Sequence, residues 1–374
     1  MDIGFTHAPG MIVAFLIAIS FLVFFHELGH YLVARWSGIR VLAFSLGFGP
    51  ELIGRTDKHG TRWKVCAIPL GGYVRFYGDE DAASRPDFEG LDALPAEERA
   101  KTFNGARLWK RAATVAAGPI ANFILAIAIF AVIFMVYGRP VSDPVVSDVQ
   151  PGSPAAEAGI QPGDIMVALD GQKVSNFSQV VRYVSVRPEV PIVVTVERGD
   201  EALKLNITPS RYEDEDQFGN RMEIGRIGVV ANQETANFRV ERYGPLEAVG
   251  QGALQSWHIV VSTYDYIVNV FAGRMKADQI GGPVRVANMA GQMASLGFVA
   301  FANFAAILSV SVGLFNLLPV PMLDGGHLLF YAIEAVRGRP LSARIQEFAF
   351  RVGLAMVLAL MIFATWNDTI GRMG

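Results

Sequence analysis

Four long apolar segments, a low charge content and one block where charges and β-branched residues return together predict a polytopic α-helical membrane protein. The expected architecture is four transmembrane helices, a membrane-associated β-hairpin region between the first two, and an extracytoplasmic β/α domain inserted between the second and third. The 374 residues are 52% hydrophobic and only 18% charged, against about 25% in an average soluble domain. A net charge of −3 offers no basic surface, so nucleic acid is not expected as a partner. The single cysteine, Cys66, excludes an intrachain disulfide and a thiolate cage for zinc.

A spanning helix needs about 20 mostly apolar residues. The first stretch runs from Phe5 to about Phe25 and leads into His26. It lacks the basic start and the small-residue cleavage site of a secretory signal, so it is expected to be retained. Ala112–Tyr137 and Gly297–Leu323 contain no charged residue. The fourth stretch, Val352–Trp366, is short, and its helix is expected to begin near Ala343. Ala248–Phe271 carries Gln251, Gln255, His258, Asp265 and Asn269. It reads as an amphipathic helix on the membrane or on other helices rather than a fifth span.

Lysines and arginines set the orientation. Arg35, Arg40, Lys101, Arg107, Lys110 and Arg111 lie between the first two spans, and Arg337, Arg339 and Arg344 between the last two. The amino terminus and residues 138–296 are therefore expected outside, and loops 31–110 and 325–342 in the cytoplasm.

His26, Glu27 and His30 form HExxH at the end of the first apolar stretch. Residues four apart share a helical face, so two imidazoles can hold one ion at about 2.0–2.1 Å. Glu27 lies one residue along, where it can take a proton from water. Ionisable groups at membrane depth are costly and mark function; the bland alternative is a helix end in the headgroup region. Catalytic zinc commonly takes three protein ligands. Asn316, Pro319 and Pro321 break the third span just before Asp324, and unwound backbone at that depth requires a cavity or surrounding protein. Asp324 is the expected third ligand. With four spans it arrives at the same depth as His26 and His30; with five it would emerge about 30 Å away. His327 competes as a ligand, or instead donates a hydrogen bond beside the ligands or caps a helix. His7, His59 and His258 have no partner at ligand spacing.

These residues resemble the site-2 protease family of intramembrane zinc metalloproteases, within it the bacterial regulator-of-sigma-E protease group. The resemblance covers nearly the whole chain: FFHELGHYLVAR at 24–35, FSLGFGP at 44–50, PLGGYVRFYGD at 69–79, AGPIANF at 117–123, IGGP at 280–283 and NLLPVPMLDGGH at 316–327. It implies one zinc ion on His26, His30 and Asp324, Glu27 as general base, and Asn316 orienting substrate or holding the oxyanion. It also implies a multi-pass protein of the bacterial inner membrane. Its substrates would be single-pass membrane proteins cut within their apolar segments, such as anti-sigma factors or remnant signal peptides. Gly118 and Asn122 fall in the family's GxxxN segment, for which close helix approach is a sufficient structural account. The glycine-rich stretches 44–54 and 65–77 read as short strands with turns. In the family this region offers an edge strand, which exposes a scissile carbonyl that a helical peptide hides.

Residues 150–171 are close to the pattern of a bacterial PDZ domain. Ser153 and Pro154 start a short helix, Gly159 ends it, and Asp170 and Gly171 make a hairpin turn. Asn176–Ser185 is the expected second helix, and Ile192–Glu197 with Leu203–Thr208 another hairpin. Such domains bind extended peptides by strand addition; the better-known family members carry two, and this chain has room for one. Glu213–Asp216 reads as a solvated acidic loop. The expected domains are residues 1–137, a PDZ-like 138–235, an interfacial connector 236–296, and 297–374 with the third ligand. Two other classes are a metal-ion transporter, which needs ligands spread along a path, and a non-catalytic PDZ scaffold, which would tolerate loss of Glu27.

Overall fold

The computed structural model describes residues 7–78, 94–141, 143–215, 221–230, 239–275 and 281–369. Asp79, Asp216 and Ile280, each the end of a segment singled out above, lie outside the described residues. The chain divides into two compact units, residues 1–129 with 281–374, and residues 130–280.

Among the described residues, four helices are long and apolar enough to cross a membrane. They are α1 (Ala8–Trp36), α3 (Leu108–Val136), α8 (Phe298–Asn316) and α10 (Ala343–Thr369). α10 starts at the expected Ala343. α1 continues two turns past the HExxH segment, so the histidines sit inside a continuous helix rather than at its frayed end. Short α2 (Ala96–Arg99) precedes α3. α8 stops at Asn316 because Pro319 and Pro321 cannot continue its hydrogen bonds. Chain then turns through Met322, held at a φ of 93°, into α9 (Asp324–Arg337). Gly325 and Gly326 make this turn possible: a Cβ on either would lie 2.2–2.4 Å from the carbonyl oxygens of Leu317, Leu318 or Val320. α7 (Pro283–Ser295) packs Ala290 against Ala14 of α1 and Phe304 of α8.

Between α1 and α2 lie two long strands, β1 (Val41–Thr56) and β2 (Arg62–Phe76), where short strands were expected. Both bend. Ala43 opposes both Arg62 and Arg75, and Leu46 opposes both Val65 and Gly72. Residues 43–46 are thus covered on two sides, and 72–76 is left as an edge. Gly47, Gly49 and Gly71 have positive φ at the bends, which only glycine adopts without strain. Phe44, stacked on Trp63 at 4.3 Å, packs with Tyr31 and Val74 and pins the hairpin to α1.

Asp57 locks the turn between the strands. Partial burial pushes its carboxyl up, but Trp63 Nε1, the N–H groups of His59 and Thr61 and the Tyr31 hydroxyl all donate to it, and together hold it down at about 2. An unfolded aspartate titrates near about 3.9. A lowered folded pKa stabilises above the unfolded value, and that contribution disappears as pH falls from about 4 towards 2. The difference in thermal midpoint between the native chain and Asp57→Asn is therefore expected to shrink across that window; a constant difference rejects the assignment.

After β3 (Arg139–Val141) and β4 (Asp148–Val149), the second unit holds a four-stranded antiparallel sheet in the order β6 (Gln172–Lys173), β5 (Ile165–Leu169), β7 (Ile192–Arg198), β8 (Glu201–Ile207). Its local signals act as expected. Ser153 caps α4 (Pro154–Glu157), Asn176 caps α5 (Phe177–Ser185), and Asp170 and Gly171 turn with positive φ. Val146, Met166, Leu169, Val180, Val194 and Val196 form a core with at most 1% exposure. Burial of each such side chain is worth about 1.5–3 kcal/mol. Glu213–Glu215 are not in a loop: they belong to β9 (Ser210–Glu215), which pairs with β10 (Arg221–Arg226) and offers Arg211 to Glu223 at 2.6 Å. Cross-strand pairing outweighed the charge run. The segment 248–271 is helical within α6 (Pro245–Phe271) and is not among the spans. Asp265 and Asn269 hold it to Arg187 at 2.5 Å and to the Val186 carbonyl at 2.6 Å.

Candidate metal centre

α1 and α9 bring three ligand side chains, two imidazoles and a carboxylate, to one point. His26 and His30 lie on one face of α1, and their Nε2 atoms are 3.2 Å apart. The Asp324 carboxylate reaches them from the first turn of α9, with Oδ2 3.1 Å from His26 Nε2 and Oδ1 3.6 Å from His30 Nε2. All three ligand atoms fall within 4.8 Å of one another. Tetrahedral zinc with bonds of about 2.05 Å separates its ligand atoms by about 3.3 Å, so the spacing fits.

The hydrogen bonding fits as well. His30 Nδ1 donates to the Thr114 carbonyl at 2.8 Å, which leaves the Nε2 lone pair facing inward. Asp324 Oδ2 is buried with no hydrogen-bond partner, although His26 Nε2 is close. Two lone-pair-bearing groups that approach without bonding are arranged for a cation. His26 Nδ1 lies 3.1 Å from Asn122 Nδ2, while Asn122 Oδ1 is buried and unpaired. Rotating that amide by 180° lets Oδ1 accept the Nδ1 proton, satisfying both residues and freeing the second Nε2.

Glycines set how closely the helices approach. A Cβ on Gly118 would lie 2.3 Å from His30 Nε2 and 2.9 Å from His26 Cε1; one on Gly29 would lie 2.3 Å from the Ala117 carbonyl oxygen. The imidazoles therefore rest directly on the α3 backbone. α8 meets α3 through Gly313 near Pro119, and Ser309 donates to the Asn122 carbonyl at 2.8 Å. α9 is fixed by Glu334, which pairs with Arg111 of α3 at 2.5 Å, both side chains mostly buried.

A cavity of about 260 Å³ opens on this cluster, and Glu27, Asn316 and His327 line it together with Gly72 and Val74 of the outer strand. Asn316 lines the cavity, and its Nδ2 donates to the Val312 carbonyl within α8 at 3.0 Å. His327 reaches the cavity yet stays outside the ligand group. Neither His7, His59 nor His258 enters it. The ligands gather at one point instead of spreading along a path, which disfavours the transporter reading. Sequence reasoning assigned Asn122 only to packing and did not single out Thr114; the GxxxN spacing was the available signal for Asn122, and a carbonyl has none.

The sequence profile of peptidase family M50 matches residues 14–360. A Rhizobium meliloti protein, named as a candidate zinc metalloprotease, is 64% identical over 354 residues, covering 95% of either chain. One of the same description from Agrobacterium fabrum is 62% identical over 365 residues, 98% of this chain and 97% of that one. Metalloprotease MmpA of Caulobacter vibrioides is 40% identical over 381 residues, 96% and 95% of the two chains. Among solved structures, the PDZ domain of an SdrC-like protein from Listeria monocytogenes aligns with 23% of this chain and 83% of its own, at 20% identity and a TM-score of 0.19.

Proposed function

Because this chain belongs to peptidase family M50 and is a multi-pass membrane zinc metalloprotease, we propose that it cuts single-pass membrane proteins within their transmembrane segments. His26, His30 and Asp324 hold the zinc ion in this reading, and Glu27 is the general base. The observation that carries it is the gathering of three ligand atoms, from two segments nearly 300 residues apart, within 4.8 Å.

Bound there, zinc supplies Lewis acidity towards a carbonyl oxygen and towards water. Glu27 takes a proton from the attacking water and returns it to the departing amine. Residues 72–75 form the outer strand of the hairpin, beside which an extended substrate can add as a further strand, holding its scissile carbonyl over the cavity. Such pairing requires local unwinding of a substrate helix. Asn316 orients the bound peptide or its oxyanion after turning from the Val312 carbonyl. The 138–235 segment acts as a PDZ-like module for an extended peptide; its Ser153 and Asn176 caps and its sheet order support that reading. In this reading the amino terminus and this module lie outside the inner membrane and the active site near the cytoplasmic side, an orientation that the basic loops support. Membrane-anchored regulators such as anti-sigma factors, and remnant signal peptides, fit this substrate class.

The test uses the full chain in lipid vesicles with a single-pass reporter. Stripping metal with a chelator is expected to stop cleavage inside the apolar segment, and zinc to restore it where magnesium does not. Cleavage that survives complete stripping, or that occurs only outside the apolar segment, rejects the proposal.

A further inference from the structure

We propose that His327 donates a hydrogen bond to the carbonyl oxygen that becomes negatively charged when the scissile bond is attacked. This rests on the proteolytic reading above and adds a catalytic residue to it. His327 follows Asp324 by three residues in the first turn of α9, so the two side chains share a face. It lines the cavity that holds Glu27, yet lies outside the group of ligand atoms. A side chain so placed is apart from the ligand atoms and faces the volume a bound peptide would enter.

Its ring is held on its other sides by aromatic neighbours. Phe350 stands 5.4 Å away, Phe330 6.4 Å and Tyr331 6.5 Å between ring centroids. Among the described residues no protein group hydrogen-bonds to either ring nitrogen. An imidazole packed so firmly and left unbonded is a preorganised donor, since nothing must be broken before it acts. Asn316, the other candidate donor in the cavity, must first release the Val312 carbonyl.

In the step served, the water oxygen bonds to the carbonyl carbon and the π pair moves onto the carbonyl oxygen, while Glu27 takes the water proton. The His327 N–H donates to that oxygen and keeps its own proton. When the C–N bond breaks, its electron pair stays on nitrogen, which takes the proton from Glu27, and the carbonyl re-forms.

Two variants of the full chain in vesicles test this on a single-pass reporter, with zinc per chain measured in parallel. His327→Phe fills the aromatic site and removes the donor; His327→Gln restores one. The phenylalanine variant is expected to keep its zinc and its KM but to lose about 10²–10³-fold in kcat. Glutamine is expected to recover at least tenfold of that. Wild-type kcat in His327→Phe, equal losses in both variants, or loss of zinc from either overturns the assignment. The proteolytic reading is judged separately by the wild-type chain and by Glu27→Gln: a wild-type chain that cuts nothing overturns both.

Discussion

Glu27→Gln is expected to leave zinc bound at one ion per chain and to lower the turnover of a single-pass reporter by about 10²–10⁴-fold. That range is the usual contribution of a positioned general base. Glutamine keeps the size of the side chain and can still hydrogen-bond to water, but it cannot accept a proton. Glu27 is not in the ligand group, so metal content has no reason to change. It lies in the wall of the cavity, beneath the β2 backbone: a Cβ on Gly72 would come within 3.1 Å of Glu27 Cγ. The amide therefore replaces the carboxylate without new bulk. Cleavage rate and zinc per chain, measured on the same preparation, decide the matter. Turnover within tenfold of the native chain removes Glu27 from the chemistry. Zinc loss would instead make it part of the metal site. A scaffold that does not cut peptides predicts no effect at all.

Gly118→Ala is expected to give a folded protein that binds zinc at least about 10–100-fold more weakly, the scale seen when the surroundings of metal ligands are disturbed. The added methyl would lie 2.3 Å from His30 Nε2, 2.4 Å from its Cε1 and 2.9 Å from His26 Cε1. Those atoms end side chains, so they can swing away without parting the helices. Moving them breaks the His30 bond to the Thr114 carbonyl and spreads the ligand atoms. Gly29→Ala provides the contrast, because its methyl meets the backbone carbonyl of Ala117 at 2.3 Å. There α1 and α3 must separate, and thermal stability should fall together with metal binding. Dye-competition titration of zinc and a thermal midpoint in detergent separate the two outcomes. Native zinc affinity in Gly118→Ala would show that the imidazoles do not rest on the α3 backbone.

Most of the fold was legible because its signals are local. Apolar length marks a span, Ser153 and Asn176 mark helix starts, and Asp170 with Gly171 marks a turn. Where a non-local contact competes, local reading fails. Glu213–Glu215 looked like a solvated loop until β10 supplied its cross-strand partners. Glycine-rich 44–54 and 65–77 read locally as short strands with turns, whereas the glycines are bends within two long strands whose segments pair twice.

The sequence by itself determined the chemistry on offer: two imidazoles at helical spacing, a carboxylate beside them, and a distant aspartate after a broken span. Spacing along one helix and the length of an apolar segment are properties of the local chain. Only the tertiary structure decided what holds those groups in place. The Thr114 carbonyl on His30, Asn122 on His26 and the bare backbone at Gly118 depend on the rotation and approach of α1 against α3. A carbonyl is common to every residue and a missing side chain leaves no pattern of its own, so their roles emerge only when the helices meet.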